Sequence, residues 1–277
     1  MPELPEAETI ARGLDALIRG RRLLGARCLT KGICERKINY PVGARVSAVG
    51  RRGKKVFVHF DDGTTLMVSL GMSGQLRRAN APRPKHTHMI LKFEGLELLY
   101  VDPRRLGRLT PSRVATTLLA PEADVARWCD RRLGPDALDV SWREFHARVG
   151  SRRGAIKPLL LNQRVIAGVG NIYADEILHR AGVHPKARAA DLSEGKLRDV
   201  HRAVKTVLRR AIKACGTTFR DYVTPTGERG DFGGFLAVYG QEGEGCRRCG
   251  AEVKKLTWPP GRSTYYCPSC QPDADAR

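Results

Sequence analysis

The sequence predicts an α+β protein: an N-terminal helix leading into a β-sandwich, a helical region, and a C-terminal β-hairpin module built around four cysteines. Three observations lead there. Ala7, Ile10, Ala11, Leu14, Leu17 and Ile18 follow the spacing of one helical face. From Arg21 to about Thr110 the chain breaks into short β-rich runs separated by turns. Beyond Asp136 helical patterning takes over, until two C-x-x-C pairs appear at Cys246/Cys249 and Cys267/Cys270. At roughly 150 residues per domain, 277 residues make about two domains and leave room for a small third. The expected boundaries are 1–131 for the sandwich, 132–235 for the helical region with a loop at its end, 236–271 for the cysteine module and 272–277 for a tail.

The elements follow in order. Pro5 and Glu6 suit the first turn of the opening helix, and Gly20 suits its stop. Residues 56–60 and 64–70 read as strands joined by the turn Asp61-Asp62-Gly63, and 89–93 and 96–101 as a second hairpin around Glu94-Gly95. Between Pro111 and Asp136 the strand pattern gives way to helical patterning, with Leu133-Gly134-Pro135 at the boundary. Helices are then expected at 141–149, 155–161, 172–181 and 193–215. The stretch 217–235 carries Gly227, Gly230, Gly233 and Gly234 and reads as a mobile loop.

Charge narrows the function classes. Lys and Arg number 49 against 29 Asp and Glu, for a net charge of +20, and the isoelectric point is near 10.1. Such a surface suits a polyanion, nucleic acid first, because it gains affinity by releasing counterions condensed on phosphates. No apolar run approaches the ~20 residues that span a bilayer, and no basic-then-apolar leader opens the chain. Secretion and membrane association are therefore not expected.

Two C-x-x-C pairs separated by seventeen residues present four thiolates for a tetrahedral ion, which indicates one structural Zn2+ held by Cys246, Cys249, Cys267 and Cys270. Such a site has no open position for a substrate, and binding of the ion is part of the module's folding. Lys254, Lys255 and Arg262 between the pairs would ride on a β-ribbon able to enter a DNA groove. Cys28, Cys34, Cys129 and Cys215 are scattered, argue against a disulfide framework, and are expected to be buried as small apolar residues.

The N-terminus carries a second chemistry. Removal of Met1 would expose the secondary amine of Pro2, and an α-amino group has a pKa of about 7.7–8.0, well below lysine. Attack by such an amine on a sugar C1′ gives an iminium, an electron sink for later eliminations, and Glu3 could protonate the opening ring. The bland reading of the same residues is a helix entrance whose acids complement the helix dipole.

The start Met1-Pro2-Glu3-Leu4-Pro5-Glu6-Ala7-Glu8-Thr9 resembles the formamidopyrimidine-DNA glycosylase family, bacterial enzymes that excise oxidised purines. So do Leu70-Gly71-Met72-Ser73-Gly74, Asp102-Pro103-Arg104-Arg105, Gly168-Val169-Gly170-Asn171-Ile172-Tyr173-Ala174 and the four-cysteine module, in the family's order across nearly the whole chain. The resemblance implies Pro2 as the Schiff-base nucleophile, Glu3 as proton donor, Lys54 in β-elimination, and Arg262 in δ-elimination and phosphate contact. It implies DNA contacts at Met72, His86, Arg104, Leu106, Lys157 and Asn171, with Met72 and Leu106 filling the gap left by a flipped base. It also implies a helix–two-turn–helix motif whose second helix opens at Asn171, and a lid at 217–235. The chain departs from the family pattern at Leu106, where phenylalanine is usual, at Ser69, where histidine is frequent, and in a cysteine spacing one residue longer.

The implied partner is damaged double-stranded DNA, met by a monomer in the bacterial cytoplasm or nucleoid. Two other readings share the basic surface and the zinc module. One is an endonuclease VIII-like enzyme for oxidised pyrimidines, whose members usually begin Met-Pro-Glu-Gly-Pro-Glu, in contrast to Leu4 here. The other is a non-catalytic DNA-binding protein, which would need none of Pro2, Glu3 and Lys54.

Overall fold

The computed structural model of the chain describes residues 2–34, 40–80, 82–113, 133–219, 221–258 and 261–273. They fall into two compact units, Met1–Arg131 with Ile212–Gly233, and Arg132–Ala211 with Gly234–Arg277. The loop expected at 217–235 thus packs mostly with the N-terminal unit. Its ties there are the Thr217 N–H on Glu6 Oε1 at 2.7 Å and the Arg78 N–H on the Pro225 carbonyl at 2.8 Å.

In the N-terminal unit, helix α1 (Leu4–Ile18) buries Leu4, Ala7, Ile10, Ala11, Leu14 and Ile18, at about 1.5–3 kcal/mol for each large aliphatic side chain. The chain leaves it through Gly20 at φ 77°, a left-handed conformation that glycine adopts without penalty. Eight strands follow: β1 (Leu23–Cys28), β2 (Val46–Arg52), β3 (Lys55–Phe60), β4 (Thr64–Ser69), β5 (Gln75–Arg78), β6 (Thr87–Phe93), β7 (Leu96–Val101) and β8 (Arg108–Arg113). They make two antiparallel four-stranded sheets, ordered β1-β6-β7-β5 and β2-β3-β4-β8. One apolar core takes Val56, Val58, Phe60, Leu66 and Val68 from one sheet, Met89, Leu91, Phe93, Leu98 and Tyr100 from the other, and the buried face of α1. The four expected strands are present, with ends moved by a residue or two.

Three expectations need correction. The strand pattern does not stop at Pro111, which pairs with Leu66 inside β8; β8 is an edge strand, where a missing N–H costs no ladder bond. The rest of the helical patterning expected between 111 and 136, and Cys129 with it, lies outside the described residues apart from 133–136. Cys28 and Cys34 form a disulfide, with Cα atoms 5.9 Å apart, because the turn after β1 folds back to bring them within bridging range. Cys215 is exposed, at φ 56°, and fills no core space.

Among the described residues the second unit holds the α-helices α2 (Trp142–Phe145), α3 (Ile156–Leu161), α4 (Asn171–Ala181) and most of α5 (Glu194–Lys213). Helix α2 starts at a capping box between Ser141 and Glu144 and passes into a π turn over His146–Gly150, so the expected helix is present with a widened last turn. Helix α5 buries Leu197, Val200, Ala203, Val204, Val207, Leu208 and Ala211 and turns its basic residues outward. The hairpin β9 (Lys254–Trp258) and β10 (Arg262–Tyr266) pairs Arg262 with Trp258 through Tyr266 with Lys254. Among the described residues no helix is long and apolar enough to cross a membrane.

Candidate active site

Pro2 is buried where the chain enters α1. Glu3 is the N-cap, and it exchanges hydrogen bonds with Glu6: the Glu6 N–H donates to the Glu3 carboxylate, and the Glu3 N–H donates to Glu6 Oε2 at 2.8 Å. Glutamate is not a preferred cap. Its presence places a carboxylate against the positive end of the helix, on the residue that follows Pro2. Glu6 Oε1 accepts the Thr217 N–H, so one side chain joins the terminus to the base of the loop. Gly216 is required at this contact: its φ is 81°, and a Cβ there would lie 2.7 Å from Glu6 Oε1. The sequence marks Glu6 only as a first-turn acid; its link to Thr217 spans 211 positions and leaves no local signature.

The loop carries no strand or α-helix from 217 to 231 among the described residues, yet it closes on itself. Thr218 Oγ1 accepts the Gly230 N–H at 2.8 Å and donates to the Tyr222 carbonyl at 3.0 Å, and Tyr222 Oη donates to the Cys215 carbonyl at 2.9 Å.

Lys54 is half-buried in the two-residue turn between β2 and β3, after Gly53 at φ 57°. Arg51 braces the turn, with Nε 2.7 Å from Glu8 Oε2 on α1 and Nη1 donating to the Gly53 carbonyl at 3.0 Å. Burial pushes the Glu8 carboxyl up, but Arg51 and Arg12 together hold it below the ordinary glutamate value. A depressed folded-state pKa contributes stability above the unfolded value that is lost as pH falls through the folded one. Glu8→Gln is therefore expected to cost about 1 kcal/mol at pH 7, measured by urea melts. The difference from the parent should shrink to nothing as the pH is lowered through the folded-state pKa, which lies below 4.5. A cost that persisted unchanged once the folded-state Glu8 carboxyl is protonated would assign it to packing instead.

Four of the expected DNA-contacting residues gather around one buried acid. Asp102 is fully buried; its Oδ1 accepts the Ser73 hydroxyl at 2.5 Å and the Arg104 N–H at 3.2 Å, and its Oδ2 accepts the Gly107 N–H at 2.7 Å. Its own N–H donates to the His86 carbonyl at 3.1 Å. Asp102 thereby holds three segments: its carboxylate takes the Met72 loop and the Arg104–Leu106 loop, and its backbone N–H takes the His86 turn. Met72 is 40% exposed and Leu106 50% exposed, costly placements for apolar side chains unless something covers them in use. The two loops meet at the backbone: a Cβ on Gly71, at φ 60°, would lie 2.6 Å from the Leu106 carbonyl carbon. His86 and Arg104 are exposed, and both His86 (φ 65°) and Arg105 (φ 55°) sit in the left-handed region, strain of a kind that collects at functional loops.

In the second unit, Gln163 shapes the approach to α4 by accepting the Gly168 N–H at 2.9 Å and donating to the Val169 carbonyl at 2.9 Å. Gly168 is at φ 115°, and Asn171 opens the helix. Arg262 is exposed at the start of β10. Lys157 departs from expectation: it is 2% exposed, with its ammonium 2.6 Å from Asp175 Oδ1 and bonded to Thr264 Oγ1 at 2.7 Å. An ammonium enclosed in this way cannot meet a phosphate, so the direct DNA contact expected of Lys157 is corrected to an internal role.

Cys246, Cys249, Cys267 and Cys270 bring their Sγ atoms within 4.8 Å of one another and could hold a metal ion. Cys246 and Cys270 are 3.9 Å apart and Cys249 and Cys267 3.4 Å, close to the ~3.8 Å edge of a tetrahedron of thiolates about 2.3 Å from zinc. Helix α4 supports the cluster. His179 Nε2 lies 3.3 Å from Cys246 Sγ, and Glu176 accepts the N–H groups of Ala237, Val238 and Tyr239 at 2.9, 3.0 and 2.9 Å. Burial pushes the Glu176 carboxyl up, and those three N–H groups pull it back.

Comparison with known proteins accords with this geometry. The sequence profile of the formamidopyrimidine-DNA glycosylase N-terminal domain matches residues 1–109, and that of the same enzymes' H2TH domain matches residues 133–223. The formamidopyrimidine-DNA glycosylase of Heliobacterium modesticaldum is 38% identical over 98% of this chain and 100% of its own length. Among solved structures, the MutM (Fpg) protein of Thermus thermophilus is 37% identical with a TM-score of 0.87, covering 99% of this chain and 100% of its own. A Lactococcus lactis Fpg mutant in complex with Fapy-dG-containing DNA is 32% identical with a TM-score of 0.88, over 98% and 100%.

Proposed function

The chain belongs to the formamidopyrimidine-DNA glycosylase family, and from that premise we propose a bifunctional glycosylase and abasic-site lyase that removes 8-oxoguanine and formamidopyrimidines from duplex DNA during base excision repair. The observation that carries this reading is the N-terminus itself. Pro2 is buried, the next residue Glu3 caps α1 with its carboxylate, and Glu6, bonded to Glu3, reaches the loop at Thr217.

The chemistry follows from those groups. The Pro2 nitrogen, freed of Met1, attacks C1′ and forms the C1′–N bond as the glycosidic bond breaks and the base leaves with a proton. Glu3 protonates O4′ as the sugar ring opens, leaving a C1′ iminium. Loss of a C2′ proton expels the 3′ phosphate, with Lys54 supporting this step. Loss of a C4′ proton then expels the 5′ phosphate, with Arg262 holding that phosphate, and water hydrolyses the remaining imine to free Pro2. Met72 and Leu106 occupy the space vacated by the flipped nucleotide. Leu106 offers an aliphatic wedge with weaker stacking than an aromatic ring. His86, Arg104 and Asn171 hold phosphates, as charged, exposed and helix-opening residues are suited to do. The four cysteines hold one structural zinc ion. The protein acts as a monomer on damaged DNA in the cytoplasm or nucleoid.

The direct test is borohydride trapping on an 8-oxoguanine:cytosine duplex with mass spectrometry of the crosslink. An adduct on Pro2 is the expected result. Protein with a confirmed N-terminal proline that gave no adduct here, but did so on thymine glycol, would transfer the assignment to oxidised pyrimidines. No adduct on either would leave a DNA-binding protein without covalent chemistry.

A further inference from the structure

The strongest unexplained feature of the second unit is a buried ion pair. Lys157 on α3 is 2% exposed and Asp175 on α4 is 0% exposed, with Nζ and Oδ1 2.6 Å apart. A buried pair of this kind is weak evidence for stability, since an apolar pair of similar volume does as well or better. What it offers in addition is direction, and bonds from both members lead to one strand. Lys157 Nζ donates to Thr264 Oγ1 at 2.7 Å and to the Ser263 carbonyl at 3.2 Å. Asp175 Oδ2 accepts the Tyr265 N–H at 2.9 Å. Asn171 Nδ2 also donates to the Ser263 carbonyl, at 2.9 Å.

Ser263, Thr264 and Tyr265 are the three residues that follow Arg262. Strand β10 has β9 as its one partner in a two-stranded sheet, so nothing in the ladder itself sets where the hairpin lies along the helices. The Ser263 carbonyl and the Tyr265 N–H, two residues apart, leave the same edge of the strand, and the helices take both. The Thr264 side chain is fully buried and shares a face with Arg262, about 7 Å away at 3.3–3.4 Å per residue. Burial pushes the Asp175 carboxyl up to about 7, with the Lys157 ammonium and the Tyr265 N–H pulling it back.

We propose that Lys157 and Asp175 are a positioning pair for Arg262: they lock the register of β10 against α3 and α4, and so set where the exposed guanidinium meets the phosphate it holds. This rests on the reading of Arg262 given above. Errors of about 1 Å in the placement of a reacting group cost on the order of 10²-fold in rate. Loosening the strand should therefore slow the step that Arg262 serves and leave chemistry at Pro2 intact.

The test uses full-length, zinc-loaded protein on a preformed abasic duplex under single-turnover conditions, resolving β- from β,δ-elimination products. Lys157→Met/Asp175→Leu replaces the pair without stranding a charge, and Thr264→Val removes only the hydroxyl that Lys157 engages. Arg262→Ala is the reference. The expected result is a fall in δ-elimination of about 10-fold or more in the double variant and a smaller fall in Thr264→Val. On a separate 8-oxoguanine duplex, base excision should stay within about 3-fold, and amide exchange in 263–265 should accelerate. If Arg262→Ala shifts the product partition and the two folded variants do not, the positioning role is overturned. If Arg262→Ala leaves the partition unchanged, the reading of Arg262 falls first and this proposal falls with it. Should the double variant fail to fold, Thr264→Val alone decides the matter.

Discussion

Protein whose Pro2 nitrogen is capped, by a retained Met1 or by acetylation, will bind damaged duplex and process none of it. The amine is the only group proposed to bond with C1′, so capping removes the glycosylase and lyase steps together. The expected loss is on the order of 10⁴–10⁶-fold, the scale of removing a nucleophile from other covalent enzymes. Glu3→Gln should cost less, about 10²–10⁴-fold, as befits loss of a general acid. It also removes the anion from the head of α1, so melting curves should accompany the rates. Comparing processed and Met1-retaining protein in the borohydride assay reads the first prediction directly. Strand cleavage at full rate by protein that keeps Met1 would end the case for Pro2.

Asp102→Ala should be the most damaging single substitution outside the reacting groups. It leaves the Ser73 hydroxyl and the Gly107 N–H without their carboxylate in a buried site, and the Arg104 N–H with Ser73 Oγ alone. Each orphaned donor costs about 1–3 kcal/mol, reduced where water enters. A total loss of about 3 kcal/mol by urea melts is the expected outcome, with excision of 8-oxoguanine falling at least 10-fold as the Met72 and Leu106 loops lose their common anchor. Asp102→Asn keeps one acceptor and the same shape, and should lie between parent and alanine in both measurements. Parent-like melting and excision in Asp102→Ala would mean that the loops are held by their backbone contacts at Gly71 alone.

The two effects differ in what the chain displays locally. Pro2 and Glu3 are adjacent and begin the sequence, so their pairing needs no fold to be noticed. Asp102 was visible as part of Asp102-Pro103-Arg104-Arg105, but its hold on Ser73 crosses 29 positions and nothing local announces it. The disulfide between Cys28 and Cys34 is a sharper case. Six residues separate them, yet the spacing carries no signal, because whether a turn closes that gap depends on how β1 ends against β6. Lys157 shows the opposite failure: a basic residue in a DNA-binding protein reads as a phosphate contact, and only burial reveals that it faces inward.

By itself the sequence determined the element types, the four-cysteine set and the candidacy of Pro2 and Glu3, since helical and strand periodicity, C-x-x-C spacing and a proline–glutamate pair are properties of neighbours along the chain. Tertiary structure decided which charges are buried, which loops share an anchor and what sets the hairpin's register. Those outcomes rest on contacts such as Glu6 with Thr217 and Lys157 with Thr264, 211 and 107 positions apart. A hydrogen bond acts over about 3 Å, so it can be assigned only once folding has brought such distant residues within reach.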